Sequence, residues 1–242
     1  MEETLGRIAW NRFCEIRTAD PNCRDASYEH CREFFISNCN NKRRIDEMAL
    51  HLYAYLASWG MLRNPFMMQK DYLFHSSIVS ILCEEQYRPL LDWEPLASDN
   101  ETNSKMVELV VNLKERIVTI YKDKGEYYID TESDEDPKPH NIKNVTDTLA
   151  SKIILGTFGC VPAYDENLVR GLGEIRPKTL SINGLNEVIK FANENKAFIE
   201  NCKKDLMNRI GDASKLYTTM KIVDILLFGK GVQKRESNKL KK

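Results

Sequence analysis

At 242 residues the chain has enough material for one large domain or two small ones. A hydrophobic content of 42% describes an ordinary globular protein, and a formal net charge of -1 excludes bulk electrostatic attraction to nucleic acid, so any phosphate-binding surface has to be local. The longest apolar runs, "IVSIL" and "IVDILLF", fall far short of the roughly 18–20 residues that span a bilayer.

"MEETLGRIAW" lacks the basic start and apolar stretch of a signal peptide, so a cytoplasmic protein with no membrane partner is expected. From Leu5 to Cys39 the pattern is helical, broken into two helices at "TADPN" by Pro21. In "RRIDEMALHLYAYLASWGM", Ile45, Met48, Ala49, Leu52, Leu56 and Trp59 recur at spacings of three and four, which predicts an amphipathic helix closed by Gly60. "NPFMMQKDYLFHSSIVSILCEEQYRPLL" predicts a second core helix that starts near Pro65, carries Phe66, Leu73, Ile78, Ile81 and Leu82 on its apolar face, and ends before Pro89.

Helical spacing returns through Met106, Leu109, Val110, Leu113, Ile117 and Ile120. It is followed by "EYYI", a candidate short strand, and by five acids between Asp130 and Asp136 in a solvated loop that would repel a phosphate backbone. "NVTDTLASKIILG" predicts a helix, "LSINGLNEVIKFANENKAFIENCKKDLMNRI" two more, and "KLYTTMKIVDILLFG" a final apolar one. The last 13 residues hold six basic residues and one acid and read as a disordered tail. The expectation is an all-α fold of roughly nine or ten helices, with room for two helical lobes and a cleft between them. The divisions are an N-terminal lobe 1–121, an acidic loop 122–143, a C-terminal lobe 144–229 and a basic tail 230–242.

The seven cysteines are an odd number and do not form the framework of a small secreted domain; they are read as reduced thiols. Cys14, Cys23, Cys31 and Cys39 lie eight or nine residues apart, with His30 beside one of them, but no CxxC or HxxxH pair fixes two ligands, so no metal is expected. His51 and His75 fall in core helices. No Ser-His-Asp order, P-loop or HExxH motif is present, and no cofactor is expected.

The candidate chemistry lies in "LGTFGCVPAYDENLVRGLG", where Pro162 disfavours helix at Val161 and the chain must turn before Asp165 opens a new helix. As a cap, Asp165 would accept a hydrogen bond from an amide of the first turn; held ionised by the helix N-terminus, it would also suit a developing positive charge. "ASWGMLRNPFMMQKDY" supplies candidate pocket residues: Asn64 and Gln69 to read a base edge, Trp59 and Tyr72 to hold its face. Arg43 and Arg44 in "NKRR", together with Lys152 and Arg170, are the candidate contacts to a DNA backbone.

"VPAYDENLVR" resembles the segment of the helix-hairpin-helix DNA glycosylase superfamily in which a Val-Pro turn delivers an aspartate, followed by Val and a basic residue. The resemblance implies an all-α fold with a cleft, Asp165 as catalytic carboxylate, Val161 and Pro162 as its turn, and Val169 and Arg170 on the following helix. The superfamily's Gly-x-Gly hairpin is replaced by "PHNIKNVTDT", Tyr164 is an additional residue before the acid, and Lys152 is too near Asp165 in sequence to match the lyase lysine. The expected function is therefore a monofunctional DNA glycosylase. It would flip a damaged or modified base out of double-stranded DNA and hydrolyse its N-glycosidic bond, in repair or in defence against phage DNA with altered bases. The alternative is a non-catalytic helical interaction or regulatory module.

Overall fold

Pro21 has no backbone N–H to donate, and the chain breaks there into α1 (Glu2–Ala19) and α2 (Arg24–Asn38). The computed structural model describes residues 2–63, 65–125 and 147–239. A short 3-10 turn, Lys42–Arg44, leads into α3 (Ile45–Ser58), whose first turn carries Asp46 and Glu47 against the positive end of the helix dipole. Gly60 ends α3 with φ of 71°: its N–H donates to the Ala57 carbonyl, and the Met61 N–H donates back to Leu56. That pairing satisfies carbonyls the helix leaves open and needs a left-handed residue, which glycine adopts without a Cβ clash.

The helix predicted from Pro65 to Arg88 is instead four short pieces. They are α4 (Pro65–Met68), a 3-10 turn at Tyr72–His75, α5 (Ser76–Leu82) and a second 3-10 turn at Glu85–Leu90. The Asp71 side chain accepts the Leu73 N–H at 3.0 Å and restarts the chain there, a local bond that competes with helix continuation. Leu73, predicted to face the core, is exposed, whereas Ile78 and Leu82 are buried.

Helix α6 (Asn100–Gly125) buries Val110, Leu113 and Ile117 and continues through residues 122–125, where the loop was expected to begin. "EYYI" and the acidic run lie outside the described residues. The remaining helices are α7 (Asp147–Thr157), α8 (Glu166–Gly171), α9 (Ile182–Glu194), α10 (Lys196–Ile210) and α11 (Thr219–Lys239). The fold is all-α, and no strand occurs among the described residues.

The disordered tail expected from residue 230 is corrected: α11 continues to Lys239 because it packs along α8 and α1, so tertiary contact stabilises a segment whose composition alone would not hold it helical. One hydrophobic cluster joins both halves of the chain, with α2 against α3 and α7, and α1 against α11. The Arg17 guanidinium donates two hydrogen bonds to Glu29, at 2.7 and 2.8 Å, and the Tyr217 hydroxyl donates to the same carboxylate at 2.6 Å, tying α1 and α2 to the segment before α11.

The crossing of α8 and α11 depends on missing side chains. A Cβ on Gly171 would lie 1.9 Å from the Leu227 carbonyl oxygen, and one on Gly231 would lie 1.8 Å from that of Asn167. Both obstacles are backbone, so neither can swing aside. Gly231→Ala is expected to lower stability by about 1–3 kcal/mol through overpacking, which at this chain length corresponds to about 2–4 °C of Tm per kcal/mol. Thermal and urea unfolding would check this, and an unshifted midpoint would mean that the two helices can separate at little cost.

Candidate functional site

The Val-Pro turn is positioned by two helices. From α7, the Ser151 hydroxyl accepts the Tyr164 N–H at 2.8 Å and the Thr148 hydroxyl donates to the Tyr164 carbonyl at 2.8 Å. From α11, the Asp224 carboxylate accepts the Ala163 N–H at 2.9 Å. Val161 and Tyr164 are buried, so the turn is part of the core.

Asp165 leaves this turn as the N-cap of α8. Its Oδ1 accepts the Leu168 N–H at 2.9 Å, and its Oδ2 accepts a hydrogen bond from Lys152 Nζ at 3.1 Å. Lys152, expected as a backbone contact, is only 3% exposed: its ammonium is buried on α7 and held by Asp165. A buried charge must be compensated where it lies, and Asp165 does this.

Beside this pair lies a second one. Lys221, 1% exposed on α11, is 3.4 Å from Asp224 and 3.5 Å from Asp25 of α2. Three carboxylates thus share two buried ammoniums. Burial pushes the Asp224 carboxyl above the usual carboxylate range, with Asp165 adding to the effect, while Lys221, Lys152 and the Ala163 N–H oppose it. Burial works against the charge of Lys221, but Asp224 and Asp25 outweigh it and leave its pKa above that of an ordinary lysine.

Trp59, at the end of α3, is the aromatic centre of the cluster. The Arg24 guanidinium sits 4.4 Å from its ring centroid, with Lys152 Nζ at 4.6 Å and Lys221 Nζ at 5.1 Å, and Phe228 meets it edge-on at 6.3 Å. All three cations are within range of attraction to the ring quadrupole.

A cavity of about 380 Å³ opens over this arrangement, between α1, α2 and α11. Arg24, Asp25, Trp59, Lys221, Asp224 and Phe228 line one part of it, and the exposed side chains of Arg12, Arg235 and Glu236 line another. Two buried polar atoms of its lining residues have no hydrogen-bond partner: Trp59 Nε1, a donor, and Gln233 Oε1, an acceptor. Buried polar groups are nearly always paired, so these two atoms are exceptions to the general rule.

Of the expected site residues, Trp59 lines the cavity, and Asp165 joins the charged cluster through Lys152 without lining the cavity itself. Gln69 is exposed and Tyr72 half-buried, and neither lines the cavity with Trp59; Asn64 lies outside the described residues. Arg170 pairs with Glu166 of its own helix and Arg44 with Glu47, while Arg43 is exposed. The spaced cysteines do not gather into a metal site: no group of three potential metal ligands occurs among the described residues, and burial pushes the Cys14 and Cys160 thiols up to about 12. Lys221, Asp224, Asp25 and Gln233 were not expected. The signal for two of them was present in "MKIVDILLF", where Lys221 and Asp224 stand three residues apart in an apolar helix and share its buried face.

Removing one partner of such a cluster leaves a buried charge uncompensated. Lys221→Met is expected to destabilise the chain by about 3–5 kcal/mol. Adding Asp224→Asn should recover much of that loss, because Asn removes the excess charge and still accepts the Ala163 N–H. Urea unfolding of both single variants and the double variant would check this, and a double loss equal to the sum of the single losses would mean that the two side chains are not coupled. No family model, curated protein or solved structure matches this chain.

Proposed function

We propose that the chain is a monofunctional DNA glycosylase-like enzyme that takes a damaged or modified base from double-stranded DNA into the Trp59 cavity and hydrolyses its N-glycosidic bond. The observation that supports this reading is a cavity lined by Trp59 and Gln233, each with an unpaired buried polar atom, beside a buried cluster of lysines and carboxylates. Buried ionised groups lower stability relative to an apolar core and concentrate at reactive sites. The unpaired Trp59 N–H and Gln233 carbonyl suit the edge of a flat heterocycle, and Arg12 and Arg235 at the exposed part of the cavity suit phosphates.

N-glycosidic cleavage develops positive charge on the sugar and needs a nearby anion, a water and a proton for the departing base. In this arrangement Asp165, fixed by its cap and by Lys152, contributes negative charge to the cluster. Asp25 lines the cavity and is placed to orient the water. Asp224, held by Lys221 and the Ala163 N–H, lines the cavity, and the proton released by the attacking water passes to the departing base. Hydrolysis adds the elements of water across the bond and leaves an abasic site. The role falls in repair or in defence against phage DNA carrying altered bases.

One observation favours a second reading, a helical interaction module without catalysis: both oxygens of Asp165 are already committed, one to the cap and one to Lys152. Incubation with duplexes carrying alkylated, oxidised, deaminated or phage-type hypermodified bases separates the two. The enzyme reading expects alkali-labile sites with wild type, reduced by about a hundredfold or more in Asp165→Asn and Asp224→Asn variants that remain folded. Absence of labile sites in every duplex leaves the second reading.

A further inference from the structure

The second cavity, about 310 Å³, is lined by Arg32, Asp92, Glu94, Lys203 and Thr218 among others, and contains no residue of the Trp59 cavity. Arg32 is 4% exposed on α2 and belongs to no ion pair among the described residues. Its single hydrogen bond runs from Nη1 to the Thr157 carbonyl at 2.8 Å, and its Nε is buried without a partner. A guanidinium is always charged and presents its donors as a planar fork that matches a carboxylate. Burying it with one neutral acceptor is costly, since the desolvation of a charged group is repaid only by an opposite charge and a full set of hydrogen bonds. The nearest acid on its own helix face, Glu29, is already occupied by Arg17 and Tyr217.

The same cavity holds the complementary deficit. Glu94 Oε2 accepts from Lys203 Nζ at 2.7 Å, but Glu94 Oε1 is buried with no donor. Two residues that each keep an unpaired buried polar atom, Arg32 and Glu94, therefore line one space. The lining mixes two acids, Asp92 and Glu94, with three cations, Arg32, Lys203 and Lys215, so it suits a ligand that carries a carboxylate and an ammonium together.

We propose that this cavity is a binding site for a free α-amino acid, with the ligand carboxylate on the Arg32 guanidinium and its ammonium on Glu94. The site is independent of the chemistry proposed for the Trp59 cavity. The test is a thermal-shift and calorimetric titration of the full chain with each proteinogenic amino acid in turn, at constant ionic strength, with acetate, methylamine and inorganic phosphate as separate controls. At least one amino acid is expected to raise Tm saturably at millimolar concentration or below, with none of the controls doing so. Arg32→Lys keeps the charge but lacks the fork, and Glu94→Gln keeps the shape but lacks the charge; each should weaken binding by about tenfold or more. The proposal is overturned if no amino acid gives a saturable shift, if phosphate or acetate binds as well as the amino acid, or if either variant binds unchanged. Should Arg32→Lys fail to fold, the wild-type Arg32 Nε–H resonance supplies the answer. It must shift on titration with the amino acid, and a stationary resonance overturns the proposal.

Discussion

Two lysine ammoniums, on Lys152 and Lys221, are almost completely withdrawn from water, and the middle of this molecule is arranged around that constraint. A buried charge is tolerated only beside its opposite, so the carboxylates that neutralise the pair have to arrive from elsewhere in the fold with little freedom in position. Asp25 comes from α2, Asp165 from the start of α8, and Asp224 from one turn further along α11 than Lys221. Neutralisation therefore fixes the relative positions of α2, α7, α8 and α11.

The Val-Pro turn is the joint through which these demands meet. Its amides are taken by Ser151 and Asp224, and its last residue caps α8 while holding Lys152. Asp224 therefore serves the turn and the charge cluster together. The close approach of α8 to α11, with glycine on each helix where the other's backbone passes, holds the turn between them. Trp59 completes the arrangement by offering its ring to Arg24, Lys152 and Lys221, so the aromatic group at the end of α3 also stabilises charge.

Much of the helical framework was legible because its signals are local. Pro21 breaks the first pair of helices, Gly60 supplies the left-handed stop of α3, and the spacing of Val110, Leu113 and Ile117 marks the buried face of α6. The position of Asp165 as a cap was readable for the same reason, since a carboxylate after a Pro turn has a nearby amide to accept from. The stretch from Pro65 to Arg88 misled because its apolar spacing is helical, while the side chain of Asp71 offers its own backbone a competing bond. The basic end of α11 misled for the opposite reason: its composition favours solvent, but α1 and α8 provide a surface that keeps it helical.

The sequence by itself determined the class of fold and most of the helices, and made Asp165 a candidate cap, because these depend on residues within a few positions of one another. It could not determine which charges are buried. Lys152 and Arg170 both stand as basic residues on helices of the Asp165 segment, yet one is sealed against Trp59 and the other lies half-exposed, paired with its own Glu166. Arg32 and Glu94 are more than sixty positions apart in the chain and line one cavity only because the folded helices bring them there. Burial, and with it the energy of every charge in these cavities, is set by neighbours distant in sequence, so the tertiary structure alone decided it.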